Sequence, residues 1–153
     1  MRAWRITQHR RARTAFSGEG ARLYGGRWNR PGVPVVYVAQ SQALAVLEVL
    51  VHLDSPALLK KYVFLEADSD ASLDIDLDRS TLPKNWRSDP VPVAVQSIGD
   101  QWVMSGDSAV LRVPSLLVPD ESNFLINPRH PDFGRISVSR AQPFRLDPRL
   151  TRR

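Results

Sequence analysis

The sequence predicts an α+β fold: a single compact domain over residues 1–153, strand-rich with short helices. Three observations predict it. The strongest apolar run, Val33 to Ala39, is short and rich in β-branched residues, as strands are. The clear helical segments, about Gln42 to Leu53 and Pro92 to Met104, are also short. Twelve prolines, several near strand ends, suit a sheet better than a helix bundle. A chain of 153 residues has a core large enough to fold as one domain.

The elements follow in order. Trp4-Arg5-Ile6 reads as a short first strand. Residues 7 to 23 are polar and basic, a loop with some helix. Val33 to Ala39 is the next strand. Ser41 is a helix cap for Gln42 to Leu53, and Asp54-Ser55-Pro56 ends that helix. Lys61 to Ala67 alternates like a strand, and Leu73 to Leu77 is another candidate. Pro92 to Met104 is a helix stopped by Ser105-Gly106-Asp107. Ala109 to Val113 and Leu116 to Val118 are short strands around Pro114-Ser115. Phe124 to Ile126, Arg135 to Val138 and Pro143 to Leu146 complete the strand candidates. There are no repeats and no low-complexity tract.

Composition excludes several classes. The apolar fraction of 42% is that of a globular protein, and no run approaches the roughly 18 apolar residues of a membrane helix. Arg2, Arg5, Arg10, Arg11 and Arg13 are not followed by an apolar core, which argues against a secretory signal. There is no cysteine, hence no disulfide, thiolate metal site or thiol nucleophile. A cytoplasmic location is expected. The net charge of +5 rests almost wholly on arginine, the better fork for phosphates and carboxylates. It is uneven: Arg2 to Arg30 is basic, whereas Glu66 to Asp78 carries six acids and no base. Such a chain suits nucleic acid, an acidic partner or an anionic metabolite.

The run Tyr24-Gly25-Gly26-Arg27-Trp28-Asn29-Arg30-Pro31-Gly32 sets a fixed cation and an aromatic on backbone that glycines leave open to close approach, as an anionic ligand requires. Arg27 either binds phosphates or pairs with Glu48 as structural glue. Glu48 falls on or beside the apolar stripe of Leu44, Leu47 and Val51. An ionised carboxylate there must meet a cation, be protonated or face a cavity; the plainer reading is a helix-edge glutamate paired with His52. Tyr37 shares a strand face with Val35 and Ala39, as core or as a platform for a flat heterocycle. Ser115 is a turn hydroxyl rather than a hydrolase nucleophile, because no Gly-x-Ser-x-Gly elbow surrounds it. Glu121-Ser122-Asn123 and Asn127-Pro128-Arg129-His130 are turn formers or ligand contacts. His9, His52 and His130 lack metal-ligand spacing, so no metal site is expected.

Gly-Gly-Arg27-Trp28-Asn29, Tyr37, Ala45-Val-Leu-Glu48, Val113-Pro-Ser115, Glu121-Ser-Asn123 and Asn127-Pro-x-His130 together resemble the RES-domain family, over most of the chain from Trp4 to beyond His130. The family is named for an arginine, a glutamate and a serine, matched here by Arg27, Glu48 and Ser115; Tyr37 matches its motif tyrosine. The resemblance implies a fold similar to that of ADP-ribosyltransferase toxins. It implies the toxin of a type II toxin–antitoxin system, partnered by an Xre-like helix-turn-helix antitoxin that blocks the active site, with a dimer or higher assembly in the complex. The implied activity is consumption of NAD as substrate, by hydrolysis or by phosphorolysis with inorganic phosphate as co-substrate, without metal. Protein ADP-ribosylation is the alternative.

Under that resemblance Glu48 stabilises the ribose cation, as carboxylates do in glycoside hydrolysis. Arg27 holds the pyrophosphate or a phosphate, Tyr37 orients the nicotinamide, and Ser115 hydrogen-bonds the ribose or the amide. Trp28, Asn29 and Asn123 join the NAD-binding set. A third hypothesis, a basic nucleic-acid-binding module, predicts salt-sensitive binding through Arg10, Arg11 and Arg13. The basic run lacks interleaved aromatics and any nucleic-acid motif, so no direct contact with nucleic acid is expected, and none with membrane.

Overall fold

The computed structural model describes residues 1–52, 61–145, 147 and 149. Its strands are β1 Arg2–Gln8, β2 Val36–Ala39, β3 Tyr62–Asp68, β4 Asp74–Asp76, β5 Val110–Pro114, β6 Ser122–Ile126, β7 Ser137–Val138 and β8 Gln142–Pro143. Its α-helices are α1 Glu19–Tyr24, α2 Gln42–Leu50 and α3 Val93–Ser105. The strands form one sheet in the order β4-β5-β6-β2-β1-β3-β7, with β8 also on β3. Only the β4–β5 pair is parallel among the described residues. The α+β, strand-rich architecture with short helices is the one the sequence predicts.

The sheet is two well-knit halves joined at a narrow seam. β1 and β3 pair continuously from Arg2↔Asp68 to Gln8↔Tyr62, and β2 and β6 from Val36↔Ile126 to Ala39↔Asn123. Between the halves, β1 meets β2 only at Trp4↔Ala39 among the described residues. Beyond that point the strands no longer pair, and the backbone of Tyr37 on the seam side needs another partner.

Side-chain alternation assigns the two faces. One face buries Ala3, Val36, Val38, Ala67, Val110, Phe124 and Ile126, packed by Phe16 and Phe133. These come from the 3-10 segments and the turns after them rather than from α-helices. The other face carries two clusters. Trp4, Ile6 and Ala39 pack against Leu44 and Ala45 of α2. Val35, Leu111, Val113 and Leu125 pack against Val95 and Trp102 of α3 and against Trp28. Tyr37 lies on this face between Val35 and Ala39, at the edge of the second cluster.

Several boundaries move for local reasons. β1 is longer than expected, and a 3-10 turn at His9–Thr14 and α1 follow it. β2 is shorter: Val33 N–H bonds the Arg30 carbonyl at 3.3 Å and closes a turn instead of joining the sheet. The expected strand Leu116 to Val118 is absent, because the Ser115 hydroxyl accepts from Leu117 N–H and Val118 N–H at 3.1 and 3.2 Å and bends the chain away. The candidate Arg135 to Val138 shrinks to β7 because Pro131–Arg135 is a 3-10 turn. The expected helix end at Leu53, its stop at Asp54-Ser55-Pro56, and Leu146 lie outside the described residues.

Ser41 caps α2 as its position predicts, accepting from Leu44 N–H at 3.0 Å and donating to the Glu121 carboxylate at 2.6 Å. Ser41→Ala should therefore cost about 1–2 kcal/mol, read as a fall in Tm of about 2–4 °C per kcal/mol. A Tm equal to wild type would show that packing alone holds the first turn of α2.

Candidate functional site

Glu48 lies four residues after Leu44 and three after Ala45, the two buried residues of α2. It is therefore on the buried stripe itself, and its carboxylate is half-buried. Leu47 and Val51, expected to share that stripe, are 41% and 56% exposed; the helix is rotated about one position from the expected setting. Among the described residues the partner of Glu48 is neither a cation nor His52. Oε1 accepts from the Asn123 amide at 2.6 Å. Asn123 stands opposite both Ala39 of β2 and Val113 of β5, on the sheet face that carries Tyr37. An amide orients the carboxylate without neutralising it, so its charge is kept for whatever approaches.

The Gly25–Pro31 loop is built by α3 and Tyr37. The Tyr37 hydroxyl donates to Asn29 Oδ1 at 2.7 Å and accepts from Trp28 N–H at 3.0 Å. A Cβ on Gly26 would lie 2.5 Å from that hydroxyl, so only glycine permits the approach. Asn29 is fully buried, and its amide donates to the carbonyls of Ala21, Arg30 and Val33. Trp28 is 2% exposed. From α3, Gln96 donates to the Gly26 and Asn29 carbonyls. Asp100 accepts from Arg30 N–H at 3.0 Å and from Arg30 Nε at 2.6 Å. Trp28 and Asn29, expected among the ligand contacts, are both buried: the indole packs in the core, and the Asn29 amide ties the loop to the carbonyls of Ala21 in α1 and of Val33.

Arg27 does not pair with Glu48. Its Nη1 donates to the carbonyls of Trp86 and Ser88 at 2.8 and 3.3 Å, and its other donors have no partner among the described residues. It remains partly exposed and ready to fork onto an anion.

Arg5 is the residue the sequence reading passed over. It enters the seam between β1 and β2, where its Nη1 donates to the Tyr37 carbonyl. Its Nε is buried without a partner. Burial pushes the guanidinium down to about 10, so at neutral pH it is a desolvated cation, without a carboxylate partner among the described residues. An anion in the seam would relieve that cost. The signal was available in Trp4-Arg5-Ile6, an arginine between two apolar residues of a strand.

Ser115 is fully buried and serves the turn: besides capping Leu117 and Val118, its N–H donates to the Glu121 carbonyl at 3.0 Å. That turn sets Glu121 against Ser41 and so fixes the start of α2. The Ser115 hydroxyl is thus engaged by the N–H groups of its own turn. Asn127 and His130 are likewise turn formers. Asn127 accepts from Arg129 N–H, and His130 Nδ1 accepts from Asp132 N–H while Nε2 meets the Gly106 carbonyl at 3.1 Å. Among the described residues no cluster of His, Asp and Glu is arranged to hold a metal. A polar depression of about 90 Å³ beside the first turn of α2, lined by Trp4, Gln42, Phe64, Glu66, Ser139 and Gln142, contains none of these residues and is far too small for a dinucleotide.

Burial also pushes the Tyr37 phenol well above its ordinary value of 10.0. The unfolded chain then releases this proton first, so stability falls as pH rises above about 10. In Tyr37→Phe the alkaline limb of a Tm-against-pH curve should be shallower. The variant should also lose about 1–3 kcal/mol, because Trp28 N–H and Asn29 Oδ1 are left unpartnered. An identical alkaline limb would remove Tyr37 as its source.

Fold and site define a small α+β domain with an arginine buried in the seam of its sheet, a carboxylate on α2 held by an amide, and a partly exposed arginine on a glycine-rich loop. The chain belongs to the RES-domain family: the model described as RES domain matches residues 2–147. It is 41% identical over 152 residues to Toxin Res of Yersinia enterocolitica, covering 98% of this chain and 99% of that one. It is also 41% identical over 155 residues to the Prs ADP-ribosylating toxin of a Sphingobium species, covering 98% and 96%. A third relative, the NAD(+) phosphorylase MbcT of Mycobacterium tuberculosis, is 53% identical over 38 residues, 24% of this chain and 20% of that one. The solved M. tuberculosis MbcT–MbcA toxin–antitoxin complex contains a chain of the same fold, with TM-score 0.74 at 21% identity, covering 97% of this chain and 85% of that one.

Proposed function

We propose that this protein is the toxin of a toxin–antitoxin system and that it consumes NAD by breaking the nicotinamide–ribose bond. The observation that carries this is the Glu48 carboxylate, on the buried stripe of α2 and oriented by Asn123 rather than neutralised by a cation. When the glycosidic bond breaks, its electron pair leaves with neutral nicotinamide, and positive charge builds on the ribose. A fixed anion stabilises that charge, and a neutral leaving group needs no strong general acid. In this reading Arg27 takes the pyrophosphate, Arg5 adds a second cation at the seam, and Tyr37 orients the nicotinamide ring. Asn123 orients Glu48, and Ser115 acts through the turn that positions α2. The names of the relatives support both the toxin role and the use of NAD.

The ribose cation is then captured by water, by phosphate or by a protein side chain. We favour water or phosphate, and transfer to protein is the second reading, because a relative called an ADP-ribosylating toxin aligns over nearly the whole chain. Nicotinamide release from NAD alone would indicate hydrolysis, and phosphate-dependent release phosphorolysis. Release only when an acceptor protein is present, with label on that protein, would indicate transfer. No release under any of these conditions, from folded protein, would refute the proposal.

No helix of the described residues is long and apolar enough to cross a membrane, and the proposed place of action is the cytoplasm, where NAD is consumed. The proposed partner is an Xre-like antitoxin that covers Arg27 and Glu48 in a dimeric or higher assembly. Light scattering of the co-purified complex would give that assembly. NAD turnover undiminished in the complex would overturn the blocking role. Asn123→Asp should set a second carboxylate beside Glu48, raise the pH at which the pair ionises and move the acid limb of the rate profile upward; an unmoved limb would remove Asn123 as the orienting group.

A further inference from the structure

We propose that Trp86, with Arg87, forms the platform for the purine end of the dinucleotide. This rests on the proposed use of NAD. That substrate is linear: nicotinamide, ribose, pyrophosphate, ribose, adenine. With the reacting ribose at Glu48 and the pyrophosphate at Arg27, the purine lies beyond Arg27, on the side away from Glu48. The segment tied to Arg27 is 86–88, through the bonds from Nη1 to the carbonyls of Trp86 and Ser88, and it makes no hydrogen bond to Glu48 among the described residues. The cation for the phosphates and the Trp86 backbone are therefore one hydrogen bond apart.

Trp86 suits a base. Its indole is half-buried, with its centroid 6.1 Å from that of Trp28. Trp86 packs against the cluster that Trp28 closes, yet unlike Trp28 it keeps part of its surface exposed. Over the Trp86 ring, at 4.9 Å, lies the guanidinium of Arg87. Arg87 is exposed and has no ion-pair partner among the described residues. A planar cation on an indole marks a ring face open to a flat group, and every nucleobase has a π-face that stacks on an aromatic side chain. A purine arriving there displaces Arg87, whose donors become free for the adjacent ribose or phosphate. Lys84, also exposed, adds positive charge to the same segment.

The test compares NAD with nicotinamide mononucleotide, which has the same scissile bond but no adenylate. Kinetics of both are measured in wild type, Trp86→Ala and Trp86→Phe, with Glu48→Gln as the control for the activity itself. AMP binding is measured in parallel by calorimetry. Trp86→Ala should raise KM for NAD about tenfold, as loss of one base stack does, with kcat little changed. It should shift KM for the mononucleotide far less and abolish AMP binding. Trp86→Phe should restore most of both NAD affinity and AMP binding. Equal losses for NAD and the mononucleotide would assign Trp86 to the support of Arg27 and overturn the proposal, as would an unchanged KM for NAD. If wild type cleaves neither compound, the proposed activity has failed, but AMP still decides the platform. Binding to wild type and not to Trp86→Ala supports it; equal binding or none overturns it.

Discussion

Replacing Glu48 by glutamine should lower nicotinamide release by at least about 10²–10³-fold, the scale on which removing one fixed electrostatic partner of a transition state acts. The fold should survive, because the glutamine amide oxygen can accept the same bond from Asn123 that Glu48 Oε1 accepts at 2.6 Å. Tm should accordingly stay close to wild type, which separates lost chemistry from lost structure. Glu48→Asp, which keeps the charge but withdraws it by one methylene, should fall between the two. A Glu48→Gln protein as fast as wild type would dismiss the carboxylate as the source of charge stabilisation, and with it the proposed reaction.

The largest structural effect should come from Gly99→Ala. Gly99 lies in α3 directly beneath the loop, and a Cβ there would sit 1.9 Å from the Trp28 carbonyl oxygen and 2.9 Å from its carbonyl carbon. Both atoms are backbone, so no side chain can swing aside. Either α3 or the loop must move. Moving the loop strains the Asp100 bonds to Arg30, the Gln96 bonds to Gly26 and Asn29, and the Tyr37 bond to Trp28 N–H. Overpacking of this kind costs about 3 kcal/mol, a Tm fall of roughly 10 °C for a domain of this size. Activity should drop with it, since Arg27 rides on the displaced loop. Gly20 is the control: it is helical, a Cβ there meets nothing within 4 Å, and Gly20→Ala should hold or raise Tm by the gain in helix propensity, up to about 1 kcal/mol. If Gly99→Ala melted with wild type, α3 would not be the scaffold of the loop.

Much of this architecture was legible in the chain. The Ser41 cap and the stop at Gly106 rest on interactions within a few residues and survive in α2 and α3, and the β-branched run before them survives in part as β2. The placement of Glu48 near a buried stripe was also legible, because helical spacing carries it. What misled were positions with two local solutions. Leu116 to Val118 reads as a strand by hydrophobicity, yet Ser115 offers a competing bond to its N–H groups and wins. Trp28 and Asn29 look like ligand contacts because they flank Arg27. Their burial depends on α3, whose Gly99 admits the Trp28 backbone and whose Gln96 bonds the Asn29 carbonyl from 67 residues away in the chain.

The sequence by itself determined the class of fold, the order of its main elements and the residue types that could carry charge chemistry, because periodicity, caps and turn residues act over short range. The tertiary structure alone decided which charged group meets which partner. Arg27 bonds carbonyls at Trp86 and Ser88 instead of Glu48; Glu48 takes Asn123, and Asp100 takes Arg30. Arg5 has no carboxylate partner among the described residues, in a seam that exists because β1 and β2 part after one pair. These partners lie 59 to 75 residues apart along the chain, and a hydrogen bond is chosen by distance in space, which no local pattern records.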